Sequence, residues 1–332
     1  MSGKKPFRFA AQAFSADSAR QWRAIVREAE ALGYSTLHVA DHYFGPGPLE
    51  AITNHPVQKL AAVPALAMAA EATERIRIGS RLFCVDYHLP AVLAKEAATL
   101  DLLSDGRLEL GLGAGWIAAE YAAMGIEHDP PGTRIRRLAE VIELVRAHFS
   151  GTPIDVDGEF VSVSGYTGTP RPVQDPPPIM VGGGGRKILT LAGRTADIVS
   201  LNLNNRAGAL GPDGVRTTTA EQTADKISCI RAAAAERGTG MPEIEIAPYF
   251  TFITDDAKAV AEQLGAEMGL SPEEMRAHPL ALIGTVDDIC DQLQERRETY
   301  GISYVTILVD AILPGTATIR DFAPIVERLA GR

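Results

Sequence analysis

"PPPIMVGGGGRKILTLAG", residues 176 to 193, joins an apolar triplet to a helix-like run through four consecutive glycines. Ile179, Met180 and Val181 read as a short buried strand, and the run from Arg186 reads as a helix. Every glycine costs backbone entropy on folding. Gly182, Gly183, Gly184 and Gly185 therefore pose a choice between a slack turn and a cradle of bare backbone. A helix start carries unpaired N–H donors and a partial positive charge, which suits a phosphate. The spacing matches neither the Rossmann nor the Walker pattern, so the fold around the glycines has to decide.

The same unit, strand then turn then amphipathic helix, recurs along the chain. Strands are expected at 7–14, 35–41, 76–85, 106–115, 179–181, 196–203, 243–254 and 303–310, each followed by a helical segment. Eight alternating units with apolar strands imply a parallel sheet buried on both faces. They predict an α/β fold that closes as an (α/β)8 TIM-like barrel, with a doubly wound open sheet as the alternative. One domain over 1–332 is expected. The rhythm breaks at 151–178, where "GTPIDVDGEFVSVSG" alternates across Asp157-Gly158 and a Pro-rich stretch follows. This is a small hairpin and loop insertion after strand 4. Residues 255–300 read as helices throughout.

With 332 residues and 46% hydrophobic content the chain can bury a sizeable core without staples. Its net charge of −10 argues against nucleic acid or an anionic membrane as partner. Cys84, Cys229 and Cys290 make no CxxC or disulfide framework, which fits a reducing, cytoplasmic setting. The start of the chain lacks an apolar run long enough for a signal peptide, and no stretch is long enough to span a bilayer.

In a barrel the active site lies at the C-terminal ends of the strands, so the residues there are the candidates. Strand 2 ends in "ADHYF", which delivers Asp41 and His42. An imidazole beside a carboxylate suits proton transfer; the bland alternative is that Asp41 caps the loop and His42 faces solvent. Strand 4 gives "GLGAGW" and then Glu120. Gly113 and Gly115 either ease packing at a turn or let a flat ring lie against the strand end, with Trp116 as a wall. Metal-ligand spacings, a Schiff-base lysine context and the GxSxG elbow are absent, so no metal is expected. A phosphate cradle, glycine walls and a histidine favour an organic cofactor that carries the difficult chemistry.

"AEALGYSTLHVADHYF" (29–44), the stretch 76–116, "PRPVQDPPPIMVGGGGRKILTLAGRTADIV" (170–199) and "ALIGTVDDICDQLQER" (281–296) resemble the luciferase-like monooxygenase superfamily, in the same order. They are most similar to its branch of coenzyme F420-dependent oxidoreductases. The resemblance implies an (α/β)8 barrel, a homodimer, a small-molecule substrate and F420, a deazaflavin, as cofactor, with FMN as the alternative. It places His42 at the reactive face of the ring with Asp41, and a non-prolyl cis peptide around Ser80, Arg81 and Leu82. The cofactor set it implies is Ala11, Asp41, Ser80, Arg81, Gly113, Gly115, Gly182, Gly183, Gly184 and Gly185. Glu120 joins His42 and Asp41 as catalytic candidates, and Trp116 and Tyr121 as substrate-pocket candidates. Members that dehydrogenate a sugar phosphate carry a glutamate where this chain has Trp116, which puts the same alcohol-oxidising mechanism in doubt. Three functions follow as expectations: an F420-dependent oxidoreductase, an FMN-dependent monooxygenase, or a flavin-binding relative without turnover. Arg186, Lys187, Arg194 and Arg206 are available for the oligoglutamate tail of F420.

Overall fold

A computed structural model describes residues 4–332 except 207, 239 and 312. Eight parallel strands form the barrel: β1 Arg8–Ala13, β2 Thr36–Val39, β3 Arg77–Ser80, β4 Leu108–Gly113, β5 Ile179–Gly183, β6 Ile198–Leu201, β7 Glu243–Ile246 and β8 Ile302–Leu308. Each strand pairs with its neighbours in sequence, β7 with β6 and β8 included, and β8 also pairs with β1. The pairing of Ile78 with Leu108 and of Gly79 with Glu109 joins β3 to β4, and β8 with β1 completes closure. The fold is thus a closed parallel barrel ringed by helices. Many helix starts are written into the sequence: the Ser18 side chain accepts from the Gln21 amide, and Thr219 and Thr285 form capping boxes with Gln222 and Asp288. The hairpin Pro153–Asp157 with Ser162–Thr167 stands apart from the barrel as its own two-stranded sheet.

Alternation along the strands separates two cores. Outward residues such as Phe9, which meets Phe322 at 5.9 Å, pack under the helices. Inward residues make a polar column at the N-terminal end of the barrel. Arg8 pairs with Glu109 and, at 2.7 Å, with Glu243, while the Arg77 Nε lies 3.0 Å from Glu109. Tyr304 donates its hydroxyl proton to Glu109 at 3.0 Å and lies 3.1 Å from His38 Nε2, which then carries the ring proton. Buried polar groups connected in this way offset the cost of desolvation.

Burial pushes the pKa of His38 and of His278 down to about 4. The unfolded chain binds protons at these positions near pH 6.5, whereas the folded chain does not until about pH 4. Stability therefore falls as pH drops through that window. Burial opposes the carboxylate of Glu109, but the neighbouring Arg8 charge and its other cationic partners win and hold its pKa below the usual value, which acts in the same direction. Going from pH 6.5 to 5 is expected to cost about 2 kcal/mol for each histidine, read as a lower urea midpoint. An unchanged midpoint contradicts the neutral buried histidines.

Two segments depart from the sequence reading. The expected strand 243–254 is two strands: β7 ends at Ile246, and Phe250–Ile253 pairs with Ala281–Gly284 outside the barrel. Pro248 lies between them and lacks the N–H that a continuing ladder needs. The four-residue strand Ala281–Gly284 falls inside the stretch read as all helical, since so short an apolar run has no period of its own. The expected strand 76–85 is also interrupted, by a cis peptide between Arg81 and Leu82, and resumes as Phe83–Cys84.

Candidate active site

A cavity of about 1280 Å³ opens at the C-terminal end of the barrel. Side chains or backbone from every strand end except that of β8 reach it through loops, and β8 contributes Leu308 from its last position.

His42 stands just past β2. Its Nδ1 lies 2.8 Å from Glu120 Oε2, and Glu120 is 1% exposed. Glu120 also accepts from the Tyr43 amide at 2.6 Å and the Tyr87 hydroxyl at 3.1 Å. Both carboxyl oxygens already accept, from the Tyr43 amide and the Tyr87 hydroxyl, and a carboxylate only accepts, so the tautomer that fits has the imidazole proton on Nδ1 and leaves Nε2 for the cavity. Asp41 has a different role: its Oδ2 accepts from the Cys84 amide at 2.9 Å and meets His88 Nε2 at 2.8 Å. It ties the loops after β2 and β3 together behind His42. His55 covers the other side, its ring centroid 4.1 Å from that of His42. Burial, and then the nearness of His42, push His55 down to about 3, so it is neutral.

Across the barrel, β5 runs into the helix Arg186–Thr195, whose N-cap is Gly185. The first amides of any helix lack an intrahelical partner, no side chain caps those of this one, and Gly185 through Ile188 border the cavity. The four glycines serve different ends. A Cβ on Gly184 would fall on the backbone of Asn202 and Leu203, so this position is glycine because two loops touch there. At Gly185 the nearest atom is 3.9 Å from such a Cβ, so this position opens on free space. An uncapped helix start over open space fits an anionic group such as a cofactor phosphate. Gly115 differs again: it has φ +68° and its missing side chain makes room for the Tyr121 hydroxyl. Arg134 holds this loop by donating to the carbonyls of Ala114, at 2.6 Å, and Gly115.

The sequence candidates His42, Asp41, Glu120, Arg81, Gly113, Gly115, Trp116 and the four glycines all border one cavity. Three others do not. Ala11 is fully buried in the outer core, because alternation points it at the helices. Ser80 is 1% exposed and donates to the Gly111 carbonyl at 2.7 Å. Tyr121 is buried beneath Gly115, where it donates to Asp86 Oδ2 at 2.9 Å and contacts Cys84. It is therefore not a pocket residue.

Sequence reasoning also missed some residues. Gln12, 4% exposed and inward from β1, borders the cavity with no side-chain partner among the described residues. Alternation next to Ala11 was the available signal. Glu245 and Asn202, which fix the candidate Arg81 at 3.0 and 2.8 Å, were not foreseen, and His55 comes from a loop with no local pattern to announce it. Among the described residues no group of three His, Cys, Asp or Glu is placed to hold a metal, and no helix is long and apolar enough to cross a membrane.

Comparison with known proteins adds the lineage. The luciferase-like monooxygenase family profile matches residues 5–271. An F420-dependent glucose-6-phosphate dehydrogenase of Amycolatopsis mediterranei is 33% identical over 170 residues, 51% of this chain and 49% of that protein. An FMNH2-dependent dimethylsulfone monooxygenase of Pseudomonas putida is 31% identical over 141 residues, 41% of this chain and 38% of that one. The chain thus spans half or less of these two relatives. The coenzyme F420-dependent tetrahydromethanopterin reductase of Methanopyrus kandleri shares the fold, with a TM-score of 0.73 at 20% identity over 98% of both chains. With its closed barrel and a profile match over most of its length, the chain belongs to the luciferase-like monooxygenase family.

Proposed function

We propose that this protein is an F420-dependent oxidoreductase that moves a hydride between the deazaflavin and a small organic substrate, with His42 carrying the accompanying proton. The observation behind this reading is one cavity with an uncapped glycine–helix cradle on one side and a carboxylate-held histidine on the other. When bound, a deazaflavin or flavin supplies a ring position that gives or takes a hydride. The chain's share is to hold, orient and move protons. Gly185 and the amides after it would hold the phosphate, and Glu120 keeps His42 in the tautomer whose Nε2 exchanges a proton with a substrate oxygen.

The choice of F420 over FMN rests on what lies past the cradle. Arg186, Lys187 and Arg206 border the cavity without an ion-pair partner among the described residues, and Arg194 pairs with Glu236 at 2.6 Å. FMN ends at its phosphate and has no use for these cations, whereas the oligoglutamate tail of F420 does. The similarity to the FMNH2-dependent monooxygenase supports FMN as the second reading. A homodimer in the cytoplasm belongs to the same proposal. Leu89, Val92 and Leu103, exposed at and along the helix Pro90–Leu103, are apolar side chains that pairing would cover.

Mass spectrometry of the ligand released from protein made in an F420-producing host tests the assignment. F420 is the expected ligand, and its affinity should fall as salt rises because the tail contacts are screened. Recovery of FMN alone favours the second reading.

A further inference from the structure

We propose that the reactive end of the cavity takes a neutral hydroxyl or carbonyl compound on an aromatic or alicyclic frame, rather than a phosphorylated or carboxylated substrate. This deepens the oxidoreductase reading and rests on it. Phe14, His55 and Trp116 wall the space around His42. The His55 centroid lies 5.4 Å from Phe14 and 6.0 Å from Trp116, and Trp116 stands edge-on to His42 at 6.2 Å. Ring walls of this kind reward the burial of flat or cyclic apolar surface.

The polar atoms of this box are few. The Pro56 carbonyl lies 2.9 Å from His55 Nδ1 and can only accept, so the proton sits on Nδ1 and Nε2 is a bare acceptor. His55 is neutral at ordinary pH and offers no charge to an anion. His42 has spent Nδ1 on Glu120, so two ring nitrogens are what the pair of histidines presents. The charged side chains beside them are already engaged. Glu120 has three partners, and Asp41 Oδ2 accepts from the Cys84 amide and His88, while the second Asp41 oxygen, buried and without a partner among the described residues, would repel an anionic substrate. Arg134 donates to three carbonyls, those of Ala114, Gly115 and Asp129. Arg81 is engaged by Glu245 at 3.0 Å and Asn202 at 2.8 Å, and the remaining arginines and lysine, on the helix after β5 and the loop after β6, stand on the cradle side. A phosphorylated substrate would compete for them with the cofactor's own anionic groups. In the oxidising direction the carbinol C–H bond breaks, with its hydride passing to the deazaflavin or flavin. The O–H proton passes to His42 Nε2 and a C=O bond forms. Reduction runs the same transfers backwards.

The chain has two tryptophans, Trp22 in the outer core at 2% exposure and Trp116 in the cavity, so Trp116 emission reports occupancy over a fixed background. Protein loaded with F420 or FMN, so that the cradle is filled, would be titrated with 1-phenylethanol, cyclohexanol and glucose 6-phosphate. The two neutral alcohols are expected to change the emission with Kd values at least ~10-fold below that of glucose 6-phosphate. The change should vanish in Trp116→Phe. Phe14→Ala, which removes one ring wall of the box, should weaken 1-phenylethanol about tenfold and leave cofactor affinity within about twofold. Glucose 6-phosphate binding as tightly as the alcohols, or alcohols without effect on a protein that binds its cofactor, would overturn the inference. A protein that binds neither F420 nor FMN sinks the oxidoreductase reading and this inference with it, and the cofactor titration alone reveals that case.

Discussion

His42→Ala is expected to lower kcat by about 10²–10⁴-fold, the range for a positioned acid or base, with the Kd for cofactor nearly unchanged. His42 sits at the cavity with Nε2 free, and its place is set from behind by Glu120. The variant leaves Glu120 with the Tyr43 amide and the Tyr87 hydroxyl, so the buried carboxylate keeps partners and the fold should survive. Steady-state constants with any alcohol that the wild type turns over separate the roles. A raised KM with kcat intact would make His42 a substrate-binding group only. Glu120→Gln provides a second check. It can still accept from Nδ1, but it no longer places a negative charge beside an imidazolium, so kcat should fall less than in His42→Ala.

Gly185→Asp is expected to weaken cofactor binding by about a hundredfold or more. Two unit charges 4 Å apart interact by ~4 kcal/mol near a protein surface, and 1.4 kcal/mol is tenfold in Kd. The aspartate side chain has room, since the nearest atom to a Cβ at this position is 3.9 Å away. As an N-cap residue aspartate also favours the helix, so loss of binding cannot be put down to a lost helix start. Gly184 is a poor place for the same test, because any side chain there collides with the Leu203 backbone and disturbs the fold itself. Affinity within twofold of wild type in Gly185→Asp would return the glycine run to a packing role.

The barrel was legible because eight apolar strands and their helices each carry a local period. The cis peptide was legible only through resemblance, since it has no period. What escaped was set by neighbours distant in sequence. Tyr121 is six residues from Gly115, yet its hydroxyl is claimed by Asp86 from another loop, so sequence position near the pocket did not place it there. Ala11 and Gln12 differ by one residue, and one position along a strand exchanges barrel interior for helical layer. His55 is 13 residues from His42 in the sequence, and only the folded loop brings the rings to 4.1 Å. The glycine run shows the same limit. Its four members read alike, while tertiary contacts give Gly184 to packing and leave Gly185 open.

In the proposed function the cradle and the cations beyond it serve a deazaflavin with an anionic tail. Side-by-side dissociation constants for F420 and FMN on the same protein, at low and high salt, test it most directly. Tighter binding of F420 than of FMN is expected at low salt, with the gap narrowing as salt rises. Tight FMN binding with no measurable F420 binding would contradict it.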